Sequence, residues 1–394
     1  MPWKVTDAMS LRRELVSLMQ QEGANVSELC RRFGVSRKTA YKWAKRAAPG
    51  QGVALADRSR RPAKSPAKTA EPVEARVVAL RGQHPAWGGR KLRRRLQNLG
   101  VEEVPATSTI TGILHRHGMI DPKESAKHQP FKRFEHKAPN DLWQMDFKGH
   151  IALEQGRCHP LTVLDDHSRF ALRLEACGDE RTETVRRCLI RAFRLYGLPR
   201  RMLMDNGSPW GDDGTHPYTP LTVWLLLLGI AVSHGRPYHP QTQGKDERFH
   251  RSLKAELLAR QTFRDLAHSQ RAFDAWRDLY NHERPHEALK LNVPASRYTV
   301  SPRPFPEQLP EIVYGPDVLV RRVTDGGRLS FEHRIYRVPK AFKGYPLGLR
   351  PTAQDGVMDV LFLHHHLQVL DLRSGIATKP VSYVSAHLSA ISPV

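Results

Sequence analysis

Apolar positions recur at helical spacing through the first 120 residues. In VSELCRRFG (Val26–Gly34), Leu29, Cys30 and Phe33 fall on one helical face, and VSRKTAYKWAKRA (Val35–Ala47) follows after a break at Gly34. Ser27 and Ser36 are positioned to cap the two helices. A short helix, a glycine turn and a basic second helix make a helix-turn-helix pattern with Val35 packed inside the turn. A second unit of the same kind is predicted from PVEARVVALRGQ, GGRKLRRRLQNLG and STITGILHRHGMI. Gly88 and Gly89 separate its first pair, Leu92 and Leu96 share a face, and Ser108 is the expected cap of its third helix.

Beyond residue 135 the period shortens. LWQMDFKGH, HPLTVLDDHS and RFALRLEAC read as strands, TETVRRCLIRAFRLYG as an amphipathic helix, and RRMLMDNG as another strand. LTVWLLLLGI reads as a buried helix, AVSHGRP as a strand and GKDERFHRSLKAELLAR as a helix. That order predicts an α/β layer fold with a mixed sheet. After about residue 305, short alternating segments between glycine turns predict a small all-β domain, a barrel or a sandwich. The chain is thus expected to be multidomain. A helix-turn-helix domain spans 1–48, a basic Pro/Ala/Ser linker 49–72 and a second helix-turn-helix-like domain 73–121. A polar linker covers 122–134, an α/β core 135–304 and the β domain 305–394.

Charge sharpens this division. Lys and Arg total 62 against 40 Asp and Glu, a formal net charge of +22. Residues 1–134 hold 27 basic and 11 acidic residues, so the excess is concentrated there, and a polyanion is the natural partner. On the two helical units the expected DNA-facing residues are Arg37, Lys38, Tyr41, Lys42 and Lys45, then Arg90, Lys91 and Arg94. The four cysteines form no C-x-x-C pair, which argues against a disulfide framework and a thiolate zinc site and suits a reducing cytosol. The longest apolar run, Val223–Val232, is about half a bilayer span. No signal pattern opens the chain, so a cytoplasmic protein without a membrane partner is expected.

Three acids stand out. Asp146 sits between Met145 and Phe147 in a strand, Asp205 ends a strand before Asn206-Gly207, and Glu247 lies in the first turn of a helix. A charge in such a strand is costly to bury unless paired or coordinated. Acids at strand ends and a helix start can converge on one sheet edge, where hard divalent cations take oxygen ligands. Two such cations about 4 Å apart activate a water or 3′-OH and stabilise the leaving oxygen of phosphoryl transfer.

WQMDF, MDNGSPW and HPQTQGKDERFHRSLK resemble the three acidic motifs of DDE transposases and retroviral integrases, most closely those of bacterial insertion sequences. The resemblance is strong over 135–300 and looser in the flanking regions. It implies an RNase H-like core and a metal-binding catalytic triad of Asp146, Asp205 and Glu247, holding two Mg²⁺ ions, with Mn²⁺ as a substitute. It further implies strand cleavage and transfer at double-stranded DNA, both transposon ends and target, with work as a homo-oligomer at the nucleoid and room for a helper ATPase. No Gly-rich phosphate loop argues for ATP use by this chain itself. Lys254, seven residues after Glu247 on the same helical face, is implied to contact DNA, with Lys245, Arg248 and Arg251 as further counter-charge.

The resemblance departs in one respect. Fifty-eight residues separate the aspartates, but 41 separate Asp205 from Glu247, longer than the family's usual spacing, and GDDGTHPYTP (Gly211–Pro220) can hold the excess. Asp246 is the rival third acid; Glu247 is preferred because G-x-x-E is the family pattern. Asp166 is expected in a turn or ion pair, and His364–His366 at a solvated strand end. Two other readings stand beside a transposase: a sequence-specific DNA-binding regulator with a silent core, and a nuclease of RNA–DNA hybrids.

Overall fold

The computed structural model describes residues 7–47, 55, 57, 69–120, 135–205, 207–211, 218–234, 244–373 and 376–378. The chain divides into two compact units, 1–68 and 69–394. Most of both expected linkers, most of the GDDGTHPYTP loop and the HPQTQ segment before Gly244 lie outside the described residues.

The first unit holds α1 (Ala8–Met19), α2 (Val26–Arg32) and α3 (Arg37–Arg46). Leu15, Cys30 and Ala40 form its centre, with Leu29, Phe33 and Val35 packed against it. Ser36 caps α3 as expected, accepting from the Thr39 amide at 3.2 Å. The cap of α2 is Asn25 rather than Ser27; its Oδ1 takes the amides of Ser27 and Glu28, which places Ser27 inside the first turn. Part of the expected linker also belongs to the fold. Leu55 is buried with Val16 and Trp43, and Asp57 pairs with Arg12.

In the second unit α4 (Glu71–Gln83), α5 (Gly89–Asn98) and α6 (Thr107–Arg116) close around Val77, Trp87, Leu92, Leu96, Ile110 and Ile113. The expected Ser108 cap is not formed: α6 starts after Ala106 with no side-chain cap. The mixed sheet follows, built from β1 (Trp143–Phe147), β2 (Ile151–Ala152), β3 (Arg157–Asp165), β4 (Ala171–Cys177), β5 (Arg201–Met204) and β6 (Ala231–His234). β3 lies antiparallel between β4 and β1, and β1, β5 and β6 run parallel. Trp143, Met145, Met202 and Met204 face α7 (Thr182–Tyr196) and α8 (Pro220–Leu227). The opposite face carries Leu164 and Leu174 against α9 (Gly244–Leu253) and α10 (Leu266–His282). α10 is a helix the sequence reading did not assign.

The VWLLLL run is apolar all round because α8 is covered on two sides. Trp224 and Leu225 join the sheet core, while Val223, Leu226 and Leu227 join the C-terminal β core. This is the pattern of a helix buried on every face. Among the described residues, no helix is long and apolar enough to cross a membrane. The C-terminal strands are β7 (Leu319–Arg322), β8 (Arg328–Phe331), β9 (Arg334–Arg337), β10 (Pro346–Pro351), β11 (Val357–Phe362), β12 (His365–Asp371) and β13 (Ile376–Thr378). They form an antiparallel sheet in the order β13-β12-β11-β10-β7, with β8–β9 as a separate hairpin. His365 is buried there rather than solvated, because the residues of β12 alternate between core and surface.

Candidate active site and nucleic-acid interface

Pairing between the parallel strands sets the first two acids. Trp143 lies opposite Met202 and Gln144 opposite Leu203. Continued two residues past the last printed pair, that register would bring Asp146 beside Asp205 on one face of the sheet, and the Asp205 charge does act on the Asp146 carboxyl. Burial raises the Asp146 carboxyl to about 6, and the charge of Asp205 adds to the shift.

The third element is α9. Its buried stripe is Asp246, Phe249, His250 and Leu253, whereas Glu247, Arg248, Arg251 and Lys254 are exposed. Glu247 is 63% exposed and pairs with Arg251 at 2.7 Å, one turn along. Asp246 lies with its back to solvent, and neither carboxylate oxygen has a hydrogen-bonding partner. Burial, then the charges of Asp146 and Asp166, push its carboxyl well above the usual range. One turn on, His250 Nε2 meets Thr162 Oγ1 at 2.9 Å, and that hydroxyl donates to the Asp146 carbonyl at 3.0 Å. Burial lowers the His250 pKa to about 4, so the ring is neutral. This bridge lays the first turn of α9 over β1 at Asp146.

A second tie holds the helix start. Asp166 accepts from Lys245 Nζ, from Gln144 Nε2 at 2.7 Å and from the His136 amide at 2.8 Å. Burial alone would raise the Asp166 carboxyl, but the Lys245 ammonium, the His136 amide and the Arg169 charge together hold it below its ordinary range. Desolvation brings Lys245 down to about 8. The structure thus gives Lys245 an internal partner, Asp166. Asp166 is an ion-pair residue, as the sequence reading has it. Among the described residues no group of three or more His, Cys, Asp or Glu side chains is gathered to hold a metal ion.

The basic residues separate into two sets. Arg37, Lys38, Tyr41, Lys42 and Lys45 are all exposed on α3, the second helix of the turn. Most of those on α5 are half-buried against the α/β core instead. Arg90 approaches Glu287 at 3.5 Å, Arg94 Nη2 donates to Asn292 Oδ1 at 2.9 Å, and Arg95 pairs with Glu283. Burial, then the charge of Arg284, lowers Lys91 to about 8 against the opposing pull of Glu256. Lys91, Arg94 and Arg95 thereby seat the second helical unit on the core, while Arg90 remains largely exposed. The bases surround Leu92 and Leu96 on the helix, and the groups that receive Arg94 and Arg95 lie 198 and 188 residues away, beyond the reach of local pattern.

The sequence reading also missed Gln144, Thr162 and His250. A signal was present for each: Gln144 and Asp146 share strand parity, and Phe249 with Leu253 defines the buried stripe on which Asp246 and His250 fall.

Comparison with known proteins agrees with this architecture. Residues 136–240 and 228–294 each match families described as Integrase core domain. Residues 11–63 match a Helix-turn-helix domain, 39–114 a Homeodomain-like domain, and 318–378 the C-terminal domain of IS481 family transposases. An uncharacterized 31.7 kDa protein of insertion element IS407 from Burkholderia multivorans is 26% identical over 70% of this chain and 91% of its own length. The uncharacterized 39.2 kDa protein of IS476 from Xanthomonas euvesicatoria is 26% identical over 58% of this chain and 65% of its own. The catalytic core domain of BIV integrase is similar over 40% of this chain and 92% of its own, at 22% identity and a TM-score of 0.30.

Proposed function

We propose, for a chain that belongs to the insertion-sequence DDE transposases with an integrase-type core, that it binds the terminal inverted repeats of its element and catalyses metal-dependent DNA strand cleavage and transfer. The observation that carries this reading is the lateral pairing of Asp146 and Asp205 on parallel strands beneath the acidic first turn of α9. A carboxyl raised to about 6 by burial and by a neighbouring acid is a group that a divalent cation would return to its ionised form. The unpartnered oxygens of Asp246 fit the same need.

Asp146, Asp205 and Glu247 would hold the cations, Mg²⁺ or Mn²⁺. When bound, these ions supply activation of a water or 3′-OH and stabilisation of the leaving oxygen. The protein's own part is positional. β1 and β5 fix the two aspartates side by side, and the Thr162–His250 bridge seats α9 over them. Arg248, Arg251 and Lys254 line the exposed face beside Glu247, where a DNA backbone would lie. The exposed bases of α3 read the transposon end in a groove. Two ends must meet for transfer, so the working form is a homo-oligomer, acting in the cytoplasm on nucleoid DNA.

The test uses purified protein, a labelled duplex ending in the flanking inverted repeat, a target plasmid and Mg²⁺ or Mn²⁺. Metal-dependent 3′-end nicking and joining, lost in Glu247→Gln, is the expected result. Tight, specific binding with no cleavage under either metal would instead favour a regulator with a silent core.

A further inference from the structure

We propose that Asp246 is itself a carboxylate of the cation site, facing Asp146 from the buried side of α9. This rests on the transposase reading for the site's existence, and adds a ligand that the three-acid motif does not include.

Asp246 is 1% exposed and lies on the same helical stripe as Phe249 and Leu253. An apolar side chain would sit there at no electrostatic cost, whereas an unpaired acid is costly to hold. Among the described residues its compensation is slight, an attraction to Lys245. Neither oxygen accepts a hydrogen bond, and the adjacent ammonium, Lys245, is tied to Asp166. Its charged surroundings are dominated by other acids, Asp146 and Asp166. The turn that carries it is held over β1 from two sides. Lys245 before it reaches the Gln144–Asp166 pair, and His250 after it reaches Thr162 and, through that hydroxyl, the Asp146 carbonyl.

These constraints hold an unsatisfied carboxylate where the charges of Asp146 and Asp166 both reach it. A hard divalent cation between Asp146 and Asp246 gives both groups oxygen-donor duty and removes the mismatch. Glu247, on the exposed side of the same turn, then serves the face that meets DNA. Two successive acids at the head of one helix thereby address one site from two sides, the inner one lodged before DNA arrives.

The experiment is Mn²⁺ binding to the full-length chain without DNA, read by loss of the free-ion paramagnetic resonance signal. Wild type, Asp246→Asn and Asp146→Asn are compared, and thermal unfolding is recorded without metal. Saturable binding by wild type is expected, weakened about tenfold or more in both variants, with the metal-free melting temperature of Asp246→Asn unchanged or raised. Asp246→Val supplies the same measurement should the asparagine variant not fold. Wild-type affinity in the Asp246 variants would mark it as a protonated core acid and overturn the proposal, as would absence of Mn²⁺ binding by wild type. Strand joining by wild type, scored separately on the end duplex, decides the transposase reading, so joining with unaltered Mn²⁺ affinity in Asp246→Asn sinks only the added ligand.

Discussion

Lys245 and Asp166 form an ion pair largely out of water, with the carboxylate 2% and the ammonium 18% exposed. Because Lys245 immediately precedes Asp246 and Glu247, the pair is the fixed point from which the acidic turn is measured. Lys245→Ala would leave a buried charge with only the Gln144 and His136 donors. A loss of about 3 kcal/mol is expected, read by urea unfolding. Adding Asp166→Asn to that variant should recover part of it. Stability unchanged in Lys245→Ala would mean that water reaches Asp166 and the tie is not structural.

Asp146 and His250 pull the free protein's pH dependence in opposite directions. Asp146 is raised in the fold, so between its ordinary value and about 6 the native state binds more protons than the unfolded chain, and stability falls as pH rises through that window. His250 is lowered to about 4, so between that value and its ordinary one the unfolded chain binds more protons, and stability rises with pH. In metal-free buffer Asp146→Asn should steepen the net rise over pH 4 to 6, and a neutral replacement of His250 should flatten or reverse it. Thermal melts at half-unit pH steps measure both.

The two sets of basic residues should separate in a salt titration. Arg37→Ala and Lys42→Ala should each reduce the slope of log affinity against log salt by about one, the signature of a lost phosphate contact. Lys91→Ala and Arg94→Ala should leave the slope alone and lower unfolding stability instead. A fall in slope for the α5 variants would mean that α5 leaves the core to meet DNA.

Asp205→Asn should abolish joining while leaving binding to the end duplex within about twofold, since the exchange changes charge but little volume. Gel-shift and joining assays on one preparation separate the two. Full joining by this variant would remove Asp205 from the triad.

Local pattern served the sequence reading well where structure is local. Helical stripes, glycine breaks and strand parity located nearly every element up to α9, and the order of strands indicated a mixed sheet. Caps were read less well: Asn25 and Ser27 are both good capping types, and only the observed turn decides between them. The inward-facing bases of α5 and the Lys245–Asp166 tie were hidden for another reason. Their partners lie far along the chain, and a charged side chain gives no periodic sign of what it will meet. α10 went unassigned because its apolar residues, Phe273, Trp276 and Tyr280, are sparse among charges.

The pairing of β1 with β5 has one more consequence. Side chains alternate along a strand, so a slip of one residue between these strands would carry Asp205 to the opposite face from Asp146. What prevents the slip is the apolar fit of Met202 and Met204 against the helices on the far side of the sheet. These methionines belong to the apolar core behind the sheet, yet the placement of the acids depends on them. A substitution there can shift both aspartates without altering either of them.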